Sequence, residues 1–301
     1  MRDWKMLTSL SAGILTVVLW GSLPVLKHLA SLPPMLITAV AMACAAGFTR
    51  LIGMVKTTKR LGRERFGVRH WTMGVGGLVG ALYGYFLALE GGDPAKVTLI
   101  TYTWPLGLVL VSDHLDGKGL RPMPLIGASV AFAGMVPLIL GDNQGTATSP
   151  WAYFAGALAG LSWIAFSLHL RQSGGLSSRG YQRLFLHAGV IALAIHLVFE
   201  STPTATTSLD WLAACLIGIG PYGLAFITWG HALKNGPTTL LGVMTYLVPI
   251  ISAMLLVALG WSTLSQELFI ATAAVVGGAL LTQSRWPGTN GRPRGRQEAK
   301  Q

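Results

Sequence analysis

The chain of 301 residues is 52% hydrophobic and only 11% charged, with a mean hydropathy of +0.56 and a formal net charge of +11. Such a composition describes a polypeptide dissolved in lipid and leaves no stretch for a water-soluble domain. Nucleic-acid binding is set aside as well, because the basic residues cluster beside apolar runs, where anionic lipid headgroups attract them.

Runs close to the ~20 apolar residues that cross a hydrocarbon core fall at 6–26, 34–55, 71–89, 95–112, 121–140, 151–170, 184–199, 211–232, 238–260 and 264–284. They predict an all-α integral membrane protein with ten transmembrane helices. The first run follows Arg2 and Lys5, as a secretory signal would. It lacks a small-x-small cleavage site, however, and carries Trp20, Pro24, Lys27 and His28 where cleavage would fall, so it is read as the first helix. A basic loop follows the second run, from Lys56 to Arg69. The third run is studded with Gly74, Gly76, Gly77, Gly80 and Gly84, and the sixth carries Gly156 and Gly160; both sets permit close helix approach. The seventh run is short and includes His187 and His196. A basic tail occupies 286–301.

With the N-terminus in the cytoplasm, only Lys27 and Lys96 lie outside, which leaves 20 of the 22 basic residues on the inner side. That asymmetry is what the positive-inside rule expects. Both termini are therefore expected to be cytoplasmic.

Within the fourth run stands Thr101-Tyr102-Thr103-Trp104-Pro105, and 144 positions later the ninth run carries Thr245-Tyr246-Leu247-Val248-Pro249. Sliding 101–134 onto 245–278 matches seven positions, Gly134 with Gly278 among them. Leu82-Tyr83-Gly84 similarly faces Pro221-Tyr222-Gly223, and Trp20-Gly21-Ser22 faces Ser162-Trp163. The chain thus divides into a first five-helix repeat at 1–141 and a second at 150–285. Five crossings per half force the second to enter the membrane in the opposite sense. The expected fold is two inverted five-helix repeats, an arrangement that places a solute pathway between the halves.

The charged residues Glu90, Asp113, Lys234 and Glu267 all fall near run ends, so mid-depth is nearly free of charge. A phosphorylated solute would need buried cations there and is disfavoured. What mid-depth offers instead is aromatic: Trp20, Tyr83, Tyr102, Trp104, Trp163, Tyr222 and Tyr246 are the candidate substrate-binding residues, with hydroxyls from Ser22, Thr101, Thr103, Ser162 and Thr245. Such a lining suits a neutral or zwitterionic solute, whose ammonium can sit over a ring face and whose own ring can pack against others. Of the tyrosines at 83 and 85, the repeat favours Tyr83. Tyr102 and Trp104 are about 200° apart on an ideal helix and share a cavity only if Pro105 distorts the turn. Pro105 and Pro249 are the candidate helix-bending residues, each freeing the carbonyl four positions back, Thr101 or Thr245.

Competing readings account for other residues. Trp4, Trp71, Trp151, Trp211, Trp261 and Trp286 lie at run ends as interfacial anchors. His169, His187, His196 and His231 are read as hydrogen-bonded packing groups rather than a proton relay. Cys44 and Cys215 have no metal spacing and predict no disulfide. Neither a metal site nor a cofactor is expected, and the motifs of membrane-embedded hydrolases are absent from the sequence.

Ten short spans in two halves, a basic loop after the second, and Tyr-x-x-Pro in the fourth and ninth together resemble the EamA-type drug/metabolite transporter superfamily. The Trp104-Pro105 pair and the aromatic interior are similar to its YddG-type exporters of aromatic amino acids. One departure stands out: the carboxylate after the fourth span has candidates in Asp113 and Asp116, whereas the second half offers only the later Glu267. The resemblance implies a monomeric secondary transporter of the bacterial inner membrane that exports neutral, aromatic amino acids by alternating access. A channel-like facilitator, or a carrier of a different small metabolite or drug, is the alternative.

Overall fold

The structure, a computed structural model, describes residues 2–55, 67–117, 119, 121–140, 147–202 and 205–283. Most of the basic loop after the second span and all of the basic tail lie outside the described residues. Among the described residues ten helices are long and apolar enough to cross a membrane: Trp4–His28, Pro34–Met54, His70–Gly91, Pro94–Leu115, Pro122–Leu140, Pro150–Gln172, Ser178–Phe199, Ser208–Asn235, Thr238–Ala258 and Gln266–Gln283. They are called spans 1 to 10 below. No strand occurs among the described residues.

Local chemistry sets where the helices begin. Spans 2, 4, 5 and 6 each open on a proline, Pro34, Pro94, Pro122 and Pro150, where the missing N–H removes no intrahelical bond. Asp93 caps span 4 by accepting from the N–H groups of Ala95 and Lys96 at 3.0 and 3.1 Å. Thr207 and Asp210 close a reciprocal capping box at span 8. Span 7 is longer than the apolar run at 184–199 predicts. Ser177 caps it by accepting from Gly180, and the helix runs through the polar segment Ser178–Arg183 before the apolar run starts. Hydropathy does not detect such a turn, whereas the cap residue does.

The helices pair in a pattern that is unchanged when the halves are exchanged. Spans 5 and 10 pack together, as do 2 and 7, and 4 and 9; span 1 lies against span 8 as span 6 lies against span 3. Shifting each number by five turns this set into itself. At the 5–10 contact the backbones touch: a Cβ at Gly127 would meet the carbonyl oxygen of Gly278, and one at Gly278 the carbonyl of Gly127. Between spans 2 and 8, Cys44 and Cys215 are free thiols with their sulfurs 3.3 Å apart.

Candidate functional site

Spans 4 and 9 are broken at the repeated motif. One helix ends at Thr101 and the next begins at Trp104, with Pro105 in its first turn. In the other half a helix ends at Met244 and resumes at Leu247, two residues before Pro249. Both breaks are tightened by bonds reaching back three residues. Thr103 donates to Ile100 through its N–H at 3.2 Å and its hydroxyl at 2.7 Å, and Thr245 donates to Gly242 in the same way at 3.2 and 2.6 Å. The carbonyl of Thr245 is not left free, since it accepts from the N–H of Val248 at 3.0 Å. In the first half, the break is received by span 6. Gly156 accepts the Thr101 hydroxyl at 3.2 Å, and at Gly160 a side chain would crowd the Thr101 carbonyl. The small-residue pair in span 6 therefore seats the discontinuity.

Beside these breaks lies a cavity of about 570 Å³. It reaches mid-depth from the end of the bundle where spans 1 and 3 finish and span 2 begins; Lys27, Pro34, Leu89 and Glu90 line that end. Of the seven candidate binding residues, Trp20, Tyr102, Trp104, Trp163 and Tyr222 line the cavity. Tyr102 and Trp104 both face it because the helix is interrupted between them. The tryptophans form one connected box. Trp163 lies 5.7 Å from Trp20 and 6.2 Å from Trp104 between ring centroids, and Phe226 stands 5.9 Å from Trp163. Such tilted and edge-on ring contacts are the favoured ones. Trp20 is oriented by donating its indole N–H to the Pro221 carbonyl at 3.1 Å. Beneath the box, Trp229 is fully buried, meets Trp104 edge-on at 6.2 Å and donates to Ser167 at 3.1 Å.

Tyr83 and Tyr246 are not in the lining. Tyr83 turns toward Phe199 of span 7, with ring centroids 6.4 Å apart. Tyr246 is fully buried behind the cavity against Phe132 of span 5, at 6.0 Å. The place expected for Tyr83 is taken by Tyr85, whose hydroxyl is 2.8 Å from that of Thr98. Periodicity could have identified two further lining residues: Phe226 follows Tyr222 by one turn, and Phe86 follows Leu82. Among the expected hydroxyls, Thr101 and Thr245 reach the cavity, and Ser252 joins them.

At the opposite end of the bundle, ion pairs tie the spans together. Arg121 holds Asp113 through two nitrogens, at 2.9 and 2.6 Å, and reaches the Thr239 hydroxyl of span 9 at 3.1 Å. Arg171 pairs with Asp116 at 2.6 Å, tying span 6 to span 4. Asp113, in the last turn of span 4, and Asp116, just after it, thus latch this end. Nearby, His70 and His169 approach to 3.3 Å across spans 3 and 6. At the open end His196 contacts Glu200 at 2.8 Å and Thr202 at 2.8 Å. His196 and Glu200 thus form a His–carboxylate pair one helical turn apart, and Glu200 lies one residue beyond the apolar run at 184–199. Among the described residues no group of three or more His, Cys, Asp or Glu side chains could hold a metal ion.

Compared with known proteins, the chain matches the signature of the EamA-like transporter family over residues 7–140 and again over 148–283. It is 34% identical over 277 residues to the aromatic amino acid exporter YddG of Ancylobacter novellus, covering 89% of this chain and 94% of that protein. Proteins of the same name from Salmonella typhimurium and Escherichia coli are 24% and 23% identical, over 62% and 68% of this chain and 66% and 74% of their own. A solved crystal structure that is 32% identical superposes with a TM-score of 0.84 over 92% of this chain and 97% of its own.

Proposed function

The chain belongs to the EamA-like transporter family, and from that premise we propose that it exports aromatic amino acids across a bacterial inner membrane by alternating access. The observation that carries this reading is the cavity walled by Trp20, Trp104, Trp163 and Phe226. It is large enough for one small solute and offers several ring faces between aliphatic and hydroxyl side chains, while its mid-depth is free of charge. An aromatic side chain gains tilted and edge contacts in such a box, and an indole face attracts an ammonium. The aromatic amino acid exporters among its relatives support the same substrate class.

With both termini in the cytoplasm, the end bearing Lys27 and Glu90 faces outward and the end latched by Arg121 and Arg171 faces the cytoplasm. The described conformation is then the outward-open one. Spans 3, 4, 8 and 9, with parts of 1 and 6, rock about the cavity to open the other end, and the breaks at Tyr102–Thr103 and Thr245–Tyr246 are where spans 4 and 9 flex. The functional unit is a monomer, since the cavity is enclosed by one chain.

The test is counterflow in proteoliposomes. Internal unlabelled phenylalanine should drive transient accumulation of labelled phenylalanine, tryptophan and tyrosine should compete, and lysine and aspartate should not. Linear, unsaturable flux would assign a pore instead of a carrier, and equal competition by all amino acids would remove the aromatic preference.

A further inference from the structure

Among the described residues, the wall of the cavity contains two charged side chains, Lys27 and Glu90, both at its open end. They come from different helices, the last turn of span 1 and the end of span 3. Two more carboxylates lie in the same region, but both are committed to the backbone. Glu200 accepts from the Met35 N–H at 2.9 Å and meets His196. Asp210 accepts from the Ser31 N–H at 2.6 Å and from Thr207 at 2.7 Å.

Lys27 and Glu90 have capacity left. The ammonium of Lys27 is half-buried and donates to the Ala30 carbonyl at 3.2 Å, using one of its three protons. Among the described residues the Glu90 carboxylate has neither a hydrogen bond nor an ion pair. Lys27 is partly buried with Asp210 and Glu200 as acidic neighbours, and Glu90 is exposed at the mouth of the cavity, so two opposite charges face the same space.

We propose that Lys27 and Glu90 are the charge-reading end of the binding cavity, Lys27 taking the carboxylate and Glu90 the ammonium of a zwitterion whose ring lies in the tryptophan box below. The assignment rests on the aromatic amino acid reading given above and adds what that reading leaves open, the means of selecting an amino acid over an aromatic amine or acid. A zwitterion satisfies both side chains at once. An amine leaves Lys27 unpaired, and an acid leaves Glu90 unpaired. A site built around a polar partner rejects the analogue that lacks it far more strongly than an apolar wall rejects a change of size. The contribution of the indole faces to holding the ammonium is then secondary, because a carboxylate offers it a full charge.

The experiment uses the intact protein in proteoliposomes, with uptake of labelled phenylalanine competed by phenethylamine, which lacks the carboxylate, and by 3-phenylpropionate, which lacks the ammonium. Wild type should disfavour both competitors against unlabelled phenylalanine by about tenfold or more. Lys27→Gln should lose the discrimination against phenethylamine only, and Glu90→Gln that against 3-phenylpropionate only. Lys27→Arg and Glu90→Asp, which keep the charges, should retain wild-type selectivity and report on folding. If either glutamine variant cannot be purified folded, the other decides. Unchanged selectivity in a folded glutamine variant, or equal loss toward both competitors, overturns the assignment. Failure of the wild type to take up phenylalanine at all would instead overturn the substrate reading on which it rests.

Discussion

Trp163 is the residue on which the cavity turns, since its ring meets Trp20, Trp104, Phe166 and Phe226. Replacing it with alanine removes a ring face offered to an aromatic solute, a contact worth about 1.4 kcal/mol, which corresponds to roughly tenfold weaker substrate binding. We expect Trp163→Ala and Tyr102→Ala to raise the KM for phenylalanine by about that factor while eluting as folded protein in detergent. Tyr83→Phe should leave transport unchanged, because Tyr83 lies outside the cavity. Normal uptake by both alanine variants would remove the box from the binding site. The same contrast marks the limit of reading side chains from sequence. Tyr83 and Tyr85 are equally aromatic and two positions apart, so which one faces the cavity depends on the rotation of span 3 about its axis. The packing of spans 6 and 7 against it fixes that rotation.

At the scale of elements, the repeated proline motif places the breaks and the glycines set how closely helices approach. Pro105→Ala would restore an N–H within reach of the Thr101 carbonyl, the bond that proline removes. That favours a continuous span 4, so the variant should melt higher and exchange phenylalanine several-fold more slowly; the pair of measurements is Tm and counterflow rate. An unchanged rate with a raised Tm would remove span 4 flexing from the transport cycle. Gly127→Val puts a side chain onto the backbone of span 10. Because backbone cannot swing aside as a side chain can, a cost of about 1–3 kcal/mol is expected, seen as a Tm several degrees lower. The repeated proline and threonine mark both interruptions within one turn of the sequence, because these residues act locally. The seating of the first break on Gly156 and Gly160 was not legible in this way, because those glycines lie 55 or more residues away in the chain.

For the whole molecule, the pairing of spans that survives exchange of the halves makes one end of the bundle the structural counterpart of the other. Among the described residues, the arginine–aspartate pairs lie at one end. Arg121→Ala leaves Asp113, which is 3% exposed, without its cation. An unpaired buried carboxylate disfavours the closed arrangement, so the variant should populate the state open at that end. With Cys44 and Cys215 replaced by serine, a cysteine at Leu108 should then react several-fold faster with a thiol reagent applied from the cytoplasmic side. No change in labelling would assign the latch a merely local role. Tags at both ends of the polypeptide should be accessible from the cytoplasm alone; tags on opposite sides would contradict an even number of crossings and the orientation proposed here.

The number of apolar spans was determined by the sequence alone, because hydropathy acts over one helix length, and the repeated Thr-Tyr-x-x-Pro motif marks the two places where spans 4 and 9 are interrupted. The tertiary structure decided which aromatic residues share a cavity, which end of it carries Lys27 and Glu90, and which carboxylates are already engaged. Those outcomes depend on helix rotation and on contacts between distant segments, and a face that is uniformly apolar to lipid and protein alike leaves no mark of rotation in the order of residues.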